Sequence, residues 1–209
     1  EIPAGGYYAL MGPSGSGKSV LLRHIIGLEA PDAGEILVGG ESIQASGVMD
    51  KFRMAMVFQS GALFNSLTVG ENVGLYLSAH RLQPPAEIAR IVSEKLTVVG
   101  LKGTEEKFPN ELSGGMKKRV AMARALVIEP QLILYDEPTS ELDPISAVVI
   151  GEEILALNRR IGVTSLVVSH DVHECFQISD YVYVISGGRI VGRGTPAEVQ
   201  ASDDPEVLQ

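Results

Sequence analysis

Gly12-Pro13-Ser14-Gly15-Ser16-Gly17-Lys18-Ser19 decides how this chain is read. Before it, Gly5-Gly6-Tyr7-Tyr8-Ala9-Leu10-Met11 reads as a strand, and after it a helix is expected from Gly17 to about Gly27. Glycine, four residues, then Gly-Lys-Ser between a strand and a helix is the spacing of a phosphate-binding loop. The glycines let successive backbone N–H groups converge on phosphate oxygens, and the helix start adds partial positive charge. In such a loop Gly12 to Gly17 form the cradle, Lys18 reaches the β- and γ-phosphates, and the Ser19 hydroxyl ligates Mg²⁺. A glycine-rich turn with an incidental lysine would not bring the strand, the helix and the Lys-Ser ending together.

Two further features stand downstream. Leu112-Ser113-Gly114-Gly115-Met116 is a second glycine loop that opens a helix, and Asp136-Glu137 closes the apolar run Leu132-Ile133-Leu134-Tyr135. A carboxylate at the end of a buried strand is costly unless a cation answers it. Mg²⁺ held by Ser19, and through water by Asp136, supplies that cation. Glu137, one residue on, can accept the proton of an attacking water, help that is worth about 10²–10⁴ in rate.

The pattern along the chain points to an α/β fold. Short strands are expected at Glu35–Val38 and Arg53–Phe58, and again at Leu132–Asp136, Thr164–Ser169 and Tyr181–Ile185. Helices are expected at Ala86–Val99, Gly114–Val127, Ile145–Ile161 and Val172–Ile178, with a hairpin and an added edge strand from Ser186 to Val191. Strands alternating with helices indicate a mainly parallel sheet covered on both faces. The whole chain, 1–209, reads as one domain with a helical subdomain inserted at about 61–130.

Composition excludes several functions. With 45% hydrophobic and 21% charged residues the chain has an ordinary globular balance, and a net charge of −9 argues against a sequence-independent nucleic-acid binder. The basic triplet Lys117-Lys118-Arg119 reads as a solvated helix face. The single cysteine, Cys175, rules out a disulfide framework and is expected to be buried. No apolar run approaches the ~20 residues of a membrane span, and no signal peptide is recognised, so a cytosolic location is expected.

Together the loop, the acidic pair and the second glycine loop resemble the nucleotide-binding subunit of an ABC transporter, over essentially the whole chain. The resemblance implies a P-loop NTPase (RecA-like) core with an inserted helical subdomain, a partial antiparallel β subdomain, and ATP and Mg²⁺ as cofactors. It makes Ser113, Gly114, Gly115 and Met116 the signature that contacts ATP across a homodimer. Gln59 becomes the switch glutamine near Mg²⁺, Asp143 the D-loop aspartate within Ser140-Glu141-Leu142-Asp143, and His170 the switch histidine beside the base Glu137. His24, His80 and His173 lack that context and read as surface or packing residues.

Met116 stands where the family commonly has glutamine, and Glu141 where it has a small residue. The family's strand with an adenine-stacking aromatic has no counterpart here, since Tyr7 and Tyr8 lie too close to Gly12, and that strand is expected to precede residue 1. Phe58-Gln59-Ser60-Gly61-Ala62-Leu63-Phe64, Glu111-Leu112-Ser113-Gly114-Gly115-Met116 and Val168-Ser169-His170-Asp171-Val172 are similar to the branch serving MCE-type phospholipid transport. That implies membrane permease subunits, an MCE-type lipid-binding subunit, a possible STAS-domain subunit, and a place on the cytoplasmic face of the inner membrane. Leu63, Phe64 and Leu67 either receive the permease or pack internally. The alternatives are an importer ATPase for another small solute and a soluble ABC ATPase, the latter disfavoured because no coiled coil separates the two glycine loops.

Overall fold

The computed structural model describes residues 1–204 and 207, with the backbone alone at 49, 50, 173 and 174. The strands are β1 (Tyr7–Met11), β2 (Leu37–Val38), β3 (Glu41–Ser42), β4 (Met54–Val57), β5 (Leu132–Asp136), β6 (Thr164–Val168), β7 (Tyr181–Ser186) and β8 (Arg189–Gly194). The helices are α1 (Lys18–Ile25), α2 (Val48–Lys51), α3 (Val69–Ala79), α4 (Pro85–Val98), α5 (Gly114–Leu126), α6 (Pro144–Ile161), α7 (Val172–Ile178) and α8 (Pro196–Gln200), with a 3-10 turn at Pro109–Glu111.

Six strands form one sheet in the order β4-β5-β6-β1-β7-β8, and β2 pairs with β3 in a small antiparallel ribbon. Every pair in the large sheet is parallel except β7 with the edge strand β8. All five residues of β1 are buried, as a strand covered on both faces requires. Alternation sends Tyr8 and Leu10 to the face covered by α1, where they join Leu22. Tyr7 joins a larger cluster built from α3, α4, α5, α6, β4 and β5, while Ala9 and Met11 meet Cys175 and Val199. Cys175 is buried, in agreement with its reading as a small hydrophobe.

Helix α3 had no specific forecast, yet its start is well specified. The Thr68 hydroxyl accepts from Glu71 N–H at 3.2 Å, and the Glu71 carboxylate accepts from Thr68 N–H at 2.8 Å. Its buried Asn72 pins the preceding loop: Phe64 N–H donates to its amide oxygen, and its amide nitrogen donates to the carbonyls of Phe64, Leu67 and Thr68. Leu63 packs against the core, whereas Phe64 is 54% exposed.

The solvated face expected for Lys117-Lys118-Arg119 does not form. Lys118 is only 4% exposed and donates to the main-chain oxygen of Gln59, and Arg119 pairs with Glu153 at 2.5 Å. The reason is tertiary: the chain leaving β4 folds over α5 and takes the Lys118 ammonium, while α6 supplies Glu153 to Arg119. His24 Nδ1 lies 3.0 Å from Glu29 O, and His80 stacks with Tyr76 at a centroid distance of 4.5 Å. The side chain of His173 lies outside the described residues, as do 205 and 206 of the C-terminal stretch. Among the described residues no helix is long and apolar enough to cross a membrane.

Candidate active site

Register places the chemistry at one edge. Leu10 and Asp136 both pair with Val168, so β1, β5 and β6 end at the same level and release their following residues into one crevice. From β1 the chain enters the glycine loop. At Gly12 a Cβ would lie 2.1 Å from the Ile185 carbonyl oxygen, so only glycine lets the loop leave β1 this close to β7. Gly17, with φ of +95°, is the N-cap of α1; no side chain caps the helix, and its first turn holds no acidic residue. The leading N–H groups therefore remain open to an anion.

Lys18 is buried, and its ammonium donates to the carbonyls of Gly12 and Pro13 at 2.8 and 3.0 Å. The buried Ser16 hydroxyl has no hydrogen-bond partner among the described residues. A cationic side chain folded onto its own loop and an unpaired hydroxyl beside it suit phosphate oxygens. Ser19 Oγ donates to Asp136 Oδ1 at 2.7 Å, so the hydroxyl and carboxylate expected to share Mg²⁺ already touch. Among the described residues no group of three His, Cys, Asp or Glu could hold a metal. That donor set fits Mg²⁺, which binds through few protein oxygens and completes its octahedron with phosphate and water.

Glu137 and His170 also meet, with Nδ1 to Oε2 at 3.3 Å. Glu137 has φ of +47°, a left-handed conformation that costs about 1–3 kcal/mol for a residue with a side chain. Its N–H donates to Val168 O at 2.9 Å, and its own carbonyl accepts from the Ser140 hydroxyl at 2.7 Å. These bonds hold the strained turn. Both residues line a cavity of about 830 Å³ with Glu141, Leu142 and Ser169.

The signature stands apart. Ser113 caps α5 by accepting from Met116 N–H at 3.3 Å, again with no acidic residue in the first turn. Ser113 to Met116 share a groove of about 360 Å³ with Leu142 and Asp143, and no residue of the Gly12–Ser19 loop lines it. Asp143 caps α6; the Ser146 hydroxyl at 2.6 Å and the Ser146 N–H at 3.0 Å hold its carboxyl below the usual range. Gln59 sits exposed beyond β4, and no hydrogen bond joins its side chain to Ser19 or Asp136 among the described residues. Residue reading overlooked Lys118 and Arg124, whose guanidinium donates to Gly61 O and Ala62 O at 2.7 Å each. Their only signal was an apolar helix with basic residues and few acids nearby.

The sequence model of the ABC transporter family matches residues 1–140. The chain is 45% identical over 212 residues to the intermembrane phospholipid transport system ATP-binding protein MlaF of Escherichia coli (strain K12), covering all of this chain and 79% of that protein. It is 41% identical over 213 residues to the probable ribonucleotide transport ATP-binding protein mkl of Mycobacterium leprae (strain TN), covering all of this chain and 61% of that one. A dimeric post-hydrolysis structure of the ATP-binding cassette MJ0796, bound to ADP and Pi, superposes with a TM-score of 0.81 at 31% identity, covering 94% of this chain and 88% of that one.

The glycine loop can be tested position by position. Gly12→Ala collides with a backbone oxygen and is expected to destabilise the fold by about 2 kcal/mol and abolish binding of a fluorescent ATP analogue. Gly15→Ala meets open space at φ of +82°, so its cost is expected near ~1 kcal/mol with some binding retained. Denaturant unfolding and analogue titration check both, and equal behaviour of the two variants would contradict the close approach at Gly12.

Proposed function

The chain belongs to the ABC transporter family, and from that we propose that it is the ATP-hydrolysing subunit of a transporter that moves phospholipid between membranes. One observation carries the chemistry: Ser19 touches Asp136 while Glu137 touches His170, both at the strand ends beneath the open start of α1. The N–H groups from Gly12 to Ser19 and the ammonium of Lys18 grip the β- and γ-phosphates. Ser19, Gln59 and, through water, Asp136 would hold Mg²⁺, which neutralises phosphate charge when bound. Glu137 takes the proton of water as the water oxygen bonds to the γ-phosphorus and the bond to the β-phosphate oxygen breaks. His170 hydrogen-bonds the γ-phosphate and orients the water and Glu137.

Two copies complete the site. Ser113 and the N–H groups at Gly114 and Gly115 form an anion-ready helix start with no phosphate cradle of its own beside it. Next to it α6 exposes Ile145, Val148 and Val149, with Ile145 79% accessible, an apolar strip suited to cover by a second copy. ATP then favours the closed pair because only that pair binds it from both sides, and hydrolysis reopens it. The partners are two permease subunits, with an MCE-type lipid-binding subunit and a STAS-domain subunit. The chain works peripherally at the cytoplasmic face of the inner membrane, through the permease. The phospholipid cargo rests on likeness to MlaF; cargo is chosen by the permease, and the relative named for ribonucleotide transport keeps the small-solute reading as the rival. Lipid bound to the purified complex, identified by mass spectrometry, decides between them, and a complex that carries none and is stimulated by a soluble solute would favour the rival.

Glu137→Gln is expected to keep ATP binding, to lose hydrolysis by at least about 100-fold, and to accumulate as a dimer in light scattering with ATP. Near-normal turnover would remove Glu137 as the base. For the permease contact, Phe64 is the informative residue, because Leu63 is committed to the core. Phe64→Asp is expected to fold normally and to fail in copurification with the permease; unchanged assembly and transport would assign Phe64 elsewhere.

A further inference from the structure

Helix α5 presents the serine-glycine cap, and it also grips the chain that leaves β4. Lys118 donates through its ammonium to the main-chain oxygen of Gln59, and Arg124 donates to the carbonyls of Gly61 and Ala62, each at 2.7 Å. A Cβ on Gly61 would stand 3.5 Å from the Ala121 methyl and 3.6 Å from Lys117 O, so this turn lies directly on the helix. Gly61 and Ala62 both hold positive φ, +73° and +46°. Two successive left-handed residues, one with a side chain, persist only where the surroundings hold them.

Lys118 is also the least exposed lysine among the described residues: it is 4% accessible, against 6% for the loop lysine Lys18. A buried ammonium is costly unless its protons are taken up by oxygens. Burial pushes its pKa below the usual lysine value, and the charges of Glu141 and Glu137 work in the opposite direction. The ammonium's hydrogen bond goes to the Gln59 turn.

We propose that Lys118 is a positioning residue for hydrolysis, holding the Gln59 carbonyl against α5 so that the Gln59 side chain and the Ser113 cap keep one fixed relation. This rests on the ATPase reading above. The Lys118 ammonium is committed to the Gln59 carbonyl and acts through it. The helix that caps the partner's nucleotide then also sets the glutamine serving its own, and a displacement of the Phe64 loop by the permease reaches Ser113 without passing through the nucleotide.

The test uses Lys118→Met and Lys118→Arg in the assembled complex, with Lys118→Gln in place of Met should that variant fail to fold. Lys118→Met is expected to lower kcat for ATP about tenfold with KM within twofold, since the phosphate cradle is untouched, and Lys118→Arg to restore most of it. Hydrogen exchange over residues 58–64 is expected to quicken in Lys118→Met and remain unchanged over residues 12–19. In a Gln59→Ala background, Lys118→Met is expected to cost less than twofold further. Wild-type kcat in folded Lys118→Met, unchanged exchange at 58–64, or full additivity with Gln59→Ala would each overturn the proposal. A wild-type complex that hydrolyses no ATP would instead defeat the ATPase reading, while the exchange measurement would still decide whether Lys118 holds the Gln59 turn.

Discussion

A helix start left open to an anion is the constraint around which this molecule is arranged. α3, α5, α6 and α8 each begin with a side chain that accepts from their first turn, from Thr68, Ser113, Asp143 and Thr195. α1 begins with a glycine and nothing acidic behind it. A missing cap costs about 1 kcal/mol in helix stability; α2 and α4 also start without a side-chain cap, but α2 spans four residues and α4 has Glu87 in its first turn. Here the loop itself is fastened by burial on both sides: β1 lies between β6 and β7 with no exposed residue, and Gly12 is pressed against Ile185 O. The buried strand fixes where the loop and the first N–H groups of α1 stand.

The same edge of the sheet carries strain where the chemistry is. Glu137 and Glu141 are both left-handed, with φ of +47° and +65°, and Ser140 between them bonds back to Glu137 O. A relaxed β5 end would let Glu137 continue along the strand direction; the turn instead brings its carboxylate to His170. Asp136 stays on the strand and meets Ser19. Adjacent carboxylates are thereby given different partners, one beside a hydroxyl that opens α1, the other beside an imidazole at the mouth of a larger cavity. The separate metal-side and water-side roles proposed for them would rest on that one change of backbone conformation.

How much of this is written locally in the sequence varies with the kind of interaction. The phosphate loop, the ends of β5 and β6, and the two glycine-opened helices depend on near neighbours in the chain, and their positions were legible from spacing. The β8 edge strand was equally plain from Ser186-Gly187-Gly188, whose glycines at positive φ make the reversal. α3 was less visible because Gly70, Asn72 and Gly74 interrupt its apolar stripe. Gly74 is small because α4 packs onto it, with Ile88 and Val92 about 3 Å from where a Cβ would lie, and Asn72 is buried because it bonds a loop rather than water. Lys118 was misread for the same reason. Its partner is a carbonyl 59 residues away, and no periodicity on its own helix reports that contact.

Charge makes the need for a second copy intelligible. A chain of net charge −9 binds a polyanion only if local fields outweigh the global one. They do at short range: a helix start carries roughly half a positive charge concentrated in its first turn, while charges farther than about 8 Å are largely screened at physiological salt. Lys18 and the α1 start provide one such field, and the α5 start, free of acids in its first turn, provides another. The Gly12–Ser19 loop lines no part of the groove of Ser113. On the function proposed above, one triphosphate would not satisfy both within a single copy. On the same proposal, pairing two chains head to tail would bring the α5 start of each to the phosphate held by the other. Because no new charge is required, the acidic remainder of the surface can keep its repulsion toward nucleic acid while the nucleotide site stays strongly attractive.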